Sequence, residues 1–316
     1  MRDKLRYLFF YIRFGFRKIL NRIAASLKLN NRLKVKYDRR VLSEQAGNDY
    51  IRELILSDKP FVAGRFGSNE LNVLVNVIGS RYGLAKISDG LQYNITQCAG
   101  LFPDNRETTT EFGELMESIV SDVDCLGCWN ERMEDYIVKY YMPDTKLIEL
   151  SSIEPYFFKN PWSKALAGKK VLVIHPFADT IQKQYVNREK LFADGLLPDF
   201  TLYTLKAVQT VANNRDERFD TWFEALDYMY NTALEFDFDI ALVGCGAYGL
   251  PLSVKLKQAG KQVVHMGGAL QVLFGIKGMR WDNSPRVSSL YNEYWVRPDE
   301  SEKPADSQNV EGACYW

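Results

Sequence analysis

Histidine and cysteine are scarce in this chain. Two histidines and five cysteines (98, 125, 128, 245 and 314) are spread over 316 residues, which leaves little from which to assemble a zinc site. Cys125-Leu-Gly-Cys128 has the spacing of a half-site, but no second pair accompanies it. As a redox motif it would have to open a helix, whereas it ends an apolar, strand-like stretch. We read it as two small residues at a strand end. An odd number of irregularly spaced cysteines fits a reducing compartment rather than a disulfide scaffold. Long apolar runs are missing too. In the N-terminal arm the longest charge-free run is Tyr7–Ile12, far short of the ~20 residues that span a bilayer. Arginines interrupt every candidate apolar region there and no small-residue cleavage site follows, so a signal peptide is not expected. There is no internal repeat.

Net charge is absent only in sum. The 40 Lys/Arg balance 40 Asp/Glu, yet residues 1–40 hold thirteen Lys/Arg against two Asp, a net of +11, so residues 41–316 carry −11. Within that basic arm, Leu5, Leu8, Phe9, Ile12, Phe16, Ile19, Leu20, Ile23 and Leu27 recur at spacings of three and four and form one helical stripe. Arg6, Arg13, Arg17, Arg22 and Lys28 fall off it. The pattern suits a helix lying in the interface of an anionic membrane, with residues 1–36 as the contact. Phe10, Tyr11 and Phe14 add apolar surface beyond the stripe. The competing reading is a helix packed on the protein's own body. Nucleic acid is not expected as a partner, because no recognisable nucleic-acid module accompanies the cations.

From residue 41 onward, strand-like and helix-like segments alternate. Helices are expected at Glu44–Leu56, Ser68–Ile78 (with Ser68 as N-cap), Thr110–Val120, Met133–Tyr141, Ala178–Phe192 and Phe219–Leu234. Strands are expected at Phe61–Gly64, Val123–Cys128, Lys170–Ile174, Phe200–Leu205 and Ile240–Val243, with a last short run ending at His265. That alternation predicts an α/β, Rossmann-like, mostly parallel sheet with helices on both faces. The expected layout is an arm over 1–40, one α/β domain over 41–297 with a possible subdivision near 151–168, and a flexible polar tail over 298–316.

Three segments of unusual composition follow strands, and in open α/β sheets ligands bind beyond the carboxyl ends of strands. The first is Gly64-Arg65-Phe66-Gly67-Ser68-Asn69-Glu70. A guanidinium between two glycines suits a phosphate or carboxylate partner. Glu70 also reads as a first-turn acid favoured by the helix dipole. The second is His175-Pro176-Phe177-Ala178-Asp179. The third is the turn Gly244-Cys-Gly246-Ala-Tyr-Gly249, with His265-Met-Gly267-Gly268 beyond it. Such glycines let a backbone approach a phosphate closely, and they also serve plain strand–helix packing. Lys277 and Arg280 add cations that could neutralise a diphosphate from that side.

The glycine turn alone suggests a nicotinamide cofactor, but a dinucleotide site wants an acid about 20 residues after the first glycine. Val264 and His265 stand there instead. The same gap counts against a methyltransferase.

At the Arg65–Glu70 segment and the glycine turn the chain resembles the GT-D-fold glycosyltransferases, bacterial enzymes of surface-polysaccharide and glycoprotein glycan assembly. Arg65-Phe66-Gly67 and Glu70 match the family pattern, in which Arg-Phe-Gly precedes an Asp-x-Glu metal motif; Ser68 stands at the aspartate position. The resemblance implies a nucleotide-sugar donor, most often a UDP-sugar, and transfer to a hydroxyl of a glycan or lipid-linked acceptor at the cytoplasmic membrane face. It also implies a divalent cation (Mn2+ or Mg2+) at Glu70, although one carboxylate and a hydroxyl make a weaker site than two carboxylates. The arginines and Lys277 would neutralise the departing diphosphate, and Glu70, Asp179 and His175 are the candidates for a base. Two alternatives stay open: an NAD(P)-dependent oxidoreductase, and a non-catalytic, membrane-associated nucleotide-binding protein.

Overall fold

The computed structural model describes residues 1–27, 33–192, 194–304, 307–309 and 312–316. Eight strands form one sheet in the order β1-β4-β3-β2-β8-β7-β5-β6, and every pairing is parallel. They are β1 (Val41–Leu42), β2 (Phe61–Gly64), β3 (Cys125–Cys128), β4 (Lys146–Glu149), β5 (Lys170–His175), β6 (Thr201–Lys206), β7 (Ile240–Val243) and β8 (Gln262–His265). Strands β2, β3, β7 and β8 are buried at every position. Burial on both faces is why their sequences run apolar instead of alternating. Two hydrophobic clusters cover the two faces, one including Val73, Phe112, Leu126 and Leu252, the other Ile51 of helix α2 (Glu44–Leu56), Ile148, Trp162 and Val173. Ser151–Ala167, expected as a break, contains three short 3-10 turns, and the strands before and after it share the one sheet.

Strand β8 joins the two halves of the chain, pairing with β2 on one side and β7 on the other. This brings the ends of β3, β2, β8, β7 and β5 side by side along the carboxyl edge.

Helix α1 (Arg2–Ser26) bears two apolar faces. Tyr7 and Phe10 are buried against the body: Tyr7 stacks edge-on to Tyr136 at 5.4 Å and donates its hydroxyl proton to the Val75 carbonyl at 3.1 Å. Arg13 pairs with Asp135 on the same side. The expected stripe points the other way. Leu5, Phe9, Ile12, Phe16, Ile19, Ile23 and Leu27 are 48–64% exposed, and Leu8 and Leu20 of the same stripe are half-buried. One face of the arm packs on the body, as the competing reading expects, and the other has no cover among the described residues. Among the described residues no helix is long and apolar enough to cross a membrane. Lys28, assigned to the arm from sequence, lies outside the described residues.

The described part of the tail departs from the frayed segment that its composition suggests. Glu302 is buried (3% exposed), and its carboxylate accepts from the Asp179 and Thr180 amides and the Thr180 hydroxyl. It thereby satisfies otherwise unpaired donors at the start of the helix Ala178–Tyr185.

Candidate functional site

Arg65 leaves the end of β2, and the fully buried Phe66 anchors its loop. Its guanidinium lies 4.3 Å from the ring centroid of Trp129, the residue immediately after β3. Gly267 also abuts it, with φ +60°; a Cβ there would sit 2.9 Å from both Nε and Nη2 of Arg65. The guanidinium thus lies against both an indole and a peptide. Nε is buried and has no hydrogen-bond partner among the described residues. A buried, unpaired donor costs about 1–3 kcal/mol unless water or a ligand takes the bond.

Trp129 is fixed in turn by Glu134, a fully buried carboxylate that accepts from the Trp129 and Glu131 amides and from the Tyr37 hydroxyl at 2.6 Å. Burial raises its pKa, and those hydrogen bonds pull the other way. Asn130 and Met133 adopt positive φ in this loop. Helix α1 grips it from outside, with Arg132 packed on the rings of Tyr11 and Phe14.

Ser68 is the first residue of α3 (Ser68–Ser80), and Gly67, not Ser68, is the N-cap. Glu70 folds its carboxylate back over Gly67, so closely that a Cβ at 67 would lie 1.9 Å from Oε2. The glycine of Arg-Phe-Gly therefore makes room for the glutamate. Arg65, Gly67, Ser68, Asn69 and Glu70 all line one cleft.

The glycine turn contributes the opposite wall of that cleft. A Cβ on Gly244 would lie 2.8 Å from Cδ2 of His175, and one on Gly249 only 2.1 Å from Cε1 of His265. Gly244 and Gly246 line the cleft together with His175, His265, Gly267 and Gly268, whereas Gly249 is spent on seating His265. Both histidines are buried and neutral, burial pushing each pKa down to about 3; for His265 the Arg65 charge adds to the effect. Nδ1 of His265 lies 3.2 Å from the Val243 carbonyl and so carries the proton. Nδ1 of His175 accepts from the Phe177 amide at 3.0 Å. The His175 proton then resides on Nε2, which makes this side chain a hydrogen-bond donor and removes it as a base.

Asp179 and Lys277 are placed elsewhere. The Asp179 side chain is 59% exposed, 3.9 Å from Lys206, outside the cleft lining. Lys277 packs its ammonium on the Tyr291 ring at 5.3 Å. Arg280 does reach the cleft, stacked 4.6 Å over Tyr315 and donating to its hydroxyl at 2.9 Å. Among the described residues Glu70 is the one acid lining the cleft, and no group of three His, Cys, Asp or Glu is arranged to hold a metal ion. The residues present do not fit a cation site built by the protein. Cys125 and Cys128 are buried, reduced thiols with raised pKa, in keeping with a packing role.

Sequence reasoning missed Trp129, Tyr315 and Trp316 as cleft residues. Trp129 carried a usable signal, since it follows a strand just as Arg65 does. The two tail aromatics carried none. Tyr315 sits against Gly268, where a Cβ would meet its ring at 2.4 Å.

Three solved structures are similar to this chain. One, described as showing that the highly conserved domain of unknown function 1792 has a distinct glycosyltransferase fold, covers 72% of this chain and 78% of its own, with 12% identity and a TM-score of 0.41. Another, a glycosyltransferase (DUF1792) from Streptococcus sanguinis, covers 84% and 98%, with 11% identity and a TM-score of 0.42. A selenomethionine-substituted structure of the same domain covers 73% and 78%, at 12% identity and a TM-score of 0.42. At this level the likeness says nothing of donor, acceptor or mechanism. No family model matches the chain, and no curated protein does.

Proposed function

We propose that the protein is a glycosyltransferase which takes a sugar from a nucleotide-sugar donor, a UDP-sugar in the first instance, and transfers it to a hydroxyl acceptor in surface-polysaccharide or glycan assembly. The observation that carries this reading is the convergence of Arg65, the start of α3 and the glycine turn on one cleft beyond five adjacent strand ends. Ligands bind at that edge of open α/β sheets. Loss of a nucleoside diphosphate develops negative charge on the leaving group, which fixed cations and helix-start amides stabilise. Arg65, Arg280 and the amides of Ser68 and Asn69 suit that task. Of the three base candidates, Asp179 lies outside the cleft and His175 has its Nδ1 engaged by the Phe177 amide, which leaves Glu70 to accept the acceptor's hydroxyl proton.

The outward stripe of α1 supports a peripheral position on the cytoplasmic membrane face. Each of its apolar side chains entering the interface contributes on the order of 1 kcal/mol, and exposed Arg2, Lys4, Lys18 and Arg22 would meet anionic headgroups.

The test is a thermal-shift panel of UDP-, GDP- and ADP-sugars, NAD(P) and S-adenosylmethionine. Stabilisation by a nucleotide sugar or its nucleoside diphosphate is expected. A shift with NAD(P) or S-adenosylmethionine alone would overturn the reading, and silence across the whole panel would leave a binding protein without catalysis.

A further inference from the structure

The cleft offers a nucleoside diphosphate two guanidinium groups, Arg65 and Arg280, and a single carboxylate, Glu70. That is the reverse of a metal-bridged diphosphate site, where paired acids hold a divalent ion and the ion holds the phosphates. Here Ser68 occupies the place of the first acid, and the Glu70 carboxylate lies over Gly67. Two guanidiniums supply the same two positive charges as one divalent cation. They also present planar forks that match phosphate oxygens in pairs.

Arg65 is prepared for that role. Its guanidinium packs on the Trp129 ring and lies close to the Gly267 backbone, contacts that restrict its movement. Its buried Nε has no partner among the described residues. An arginine held in this way loses little further freedom on binding an anion.

We propose that Arg65, assisted by Arg280, replaces the divalent cation, so that a nucleoside diphosphate binds in this cleft without metal. The proposal rests on the donor reading given above and goes beyond it in assigning the neutralising charge to the protein.

Isothermal titration of the full chain with UDP, GDP and ADP, in EDTA and again in excess Mn2+, tests it. For whichever diphosphate binds, the dissociation constant is expected to agree between the two conditions within about twofold, because no ion joins the complex. Arg65→Met should weaken binding by about 100-fold and Arg65→Lys by about tenfold, since an ammonium keeps the charge and loses the fork. Thermal unfolding of the same samples verifies that each variant is folded; if Arg65→Met is not, Arg65→Lys carries the comparison. Binding that tightens more than about tenfold with Mn2+ overturns the proposal and leaves the donor reading intact. Unchanged affinity in a folded Arg65 variant overturns it as well. Failure of all three diphosphates under both conditions removes the donor reading itself, and the proposal with it.

Discussion

Replacing Gly267 by alanine separates two costs that the structure puts at one residue. The first is backbone strain. Gly267 has φ +60°, and a side chain in that left-handed region costs about 1–2 kcal/mol. The second is collision. The new Cβ would lie 2.9 Å from Nε and Nη2 of Arg65, and the guanidinium could yield only by disturbing its packing on the Trp129 ring, 4.3 Å from the centroid. Overpacking of this kind costs about 1–3 kcal/mol, so Gly267→Ala should lower the unfolding free energy by about 2–5 kcal/mol in all. Gly168→Ala and Gly260→Ala are the controls. Their φ values are +73° and +87°, and neither Cβ would meet an atom within 4 Å, so each should cost only the strain. Urea denaturation with unchanged m-values gives all three numbers. Adding Arg65→Ala to Gly267→Ala should return the collision part as a coupling energy of about 1–3 kcal/mol. Equal costs for Gly267→Ala and the controls, with no coupling to Arg65, would refute the claim that these contacts restrict the guanidinium.

Acidification should destabilise the protein through its two histidines and spare it partly through Glu154. Both imidazoles have folded pKa values lowered to about 3, so the stability they contribute is present above the unfolded value near 6.5 and fades as pH falls toward 3. Burial raises the Glu154 carboxyl to about 7, an effect that Arg286 and Arg65 reduce, so its contribution is full below about 4.5 and lost as pH rises through 7. Between pH 4.5 and 6.5 these groups together should lower stability by about 1.4 kcal/mol per unit of acidification. Glu154→Gln should double that slope and His265→Asn should flatten it, as read from urea midpoints at stepped pH; slopes that do not move would sink the assignment. On α1, Phe16→Ser with Ile19→Ser should release the protein from anionic liposomes without shifting its melting temperature, because both side chains face outward. Undiminished sedimentation would reject the stripe as the membrane contact. Deleting the arm would be a poorer test, since it removes the buried Tyr7 and Phe10.

The parallel sheet was legible because its inner strands are short apolar runs followed by glycine, arginine or histidine, and β2 begins and ends where the composition changes. The site segments were legible for the same reason: residues just past a strand end must lie on the carboxyl edge. What the sequence could not supply was adjacency. Strand β4, Lys146–Glu149, has no place in the sequence reading, and it is defined only by its pairing between β1 and β3. The roles of Gly249 and Gly267 depend on His265 and Arg65, partners that only the fold brings near. In α1 the periodicity revealed an apolar stripe correctly, but aromatic residues lie on both sides of that helix. Only the packing of Tyr136 and Tyr140 on Tyr7 and Phe10 decides which face is covered. The tail aromatics follow a polar segment whose composition predicts fraying, and long-range bonds from Gln271 and Arg280 hold them.

The central claim is that a nucleoside diphosphate sits at Arg65 on the carboxyl edge of the sheet. A crystal structure of the protein grown with UDP in EDTA tests it most directly. The account predicts phosphate oxygens within hydrogen-bond distance of the Arg65 guanidinium, between Gly267 and the start of α3, with the Trp129 stack intact. A nucleotide bound away from Arg65, or phosphates held on Glu70 only after Mn2+ is restored, would contradict it.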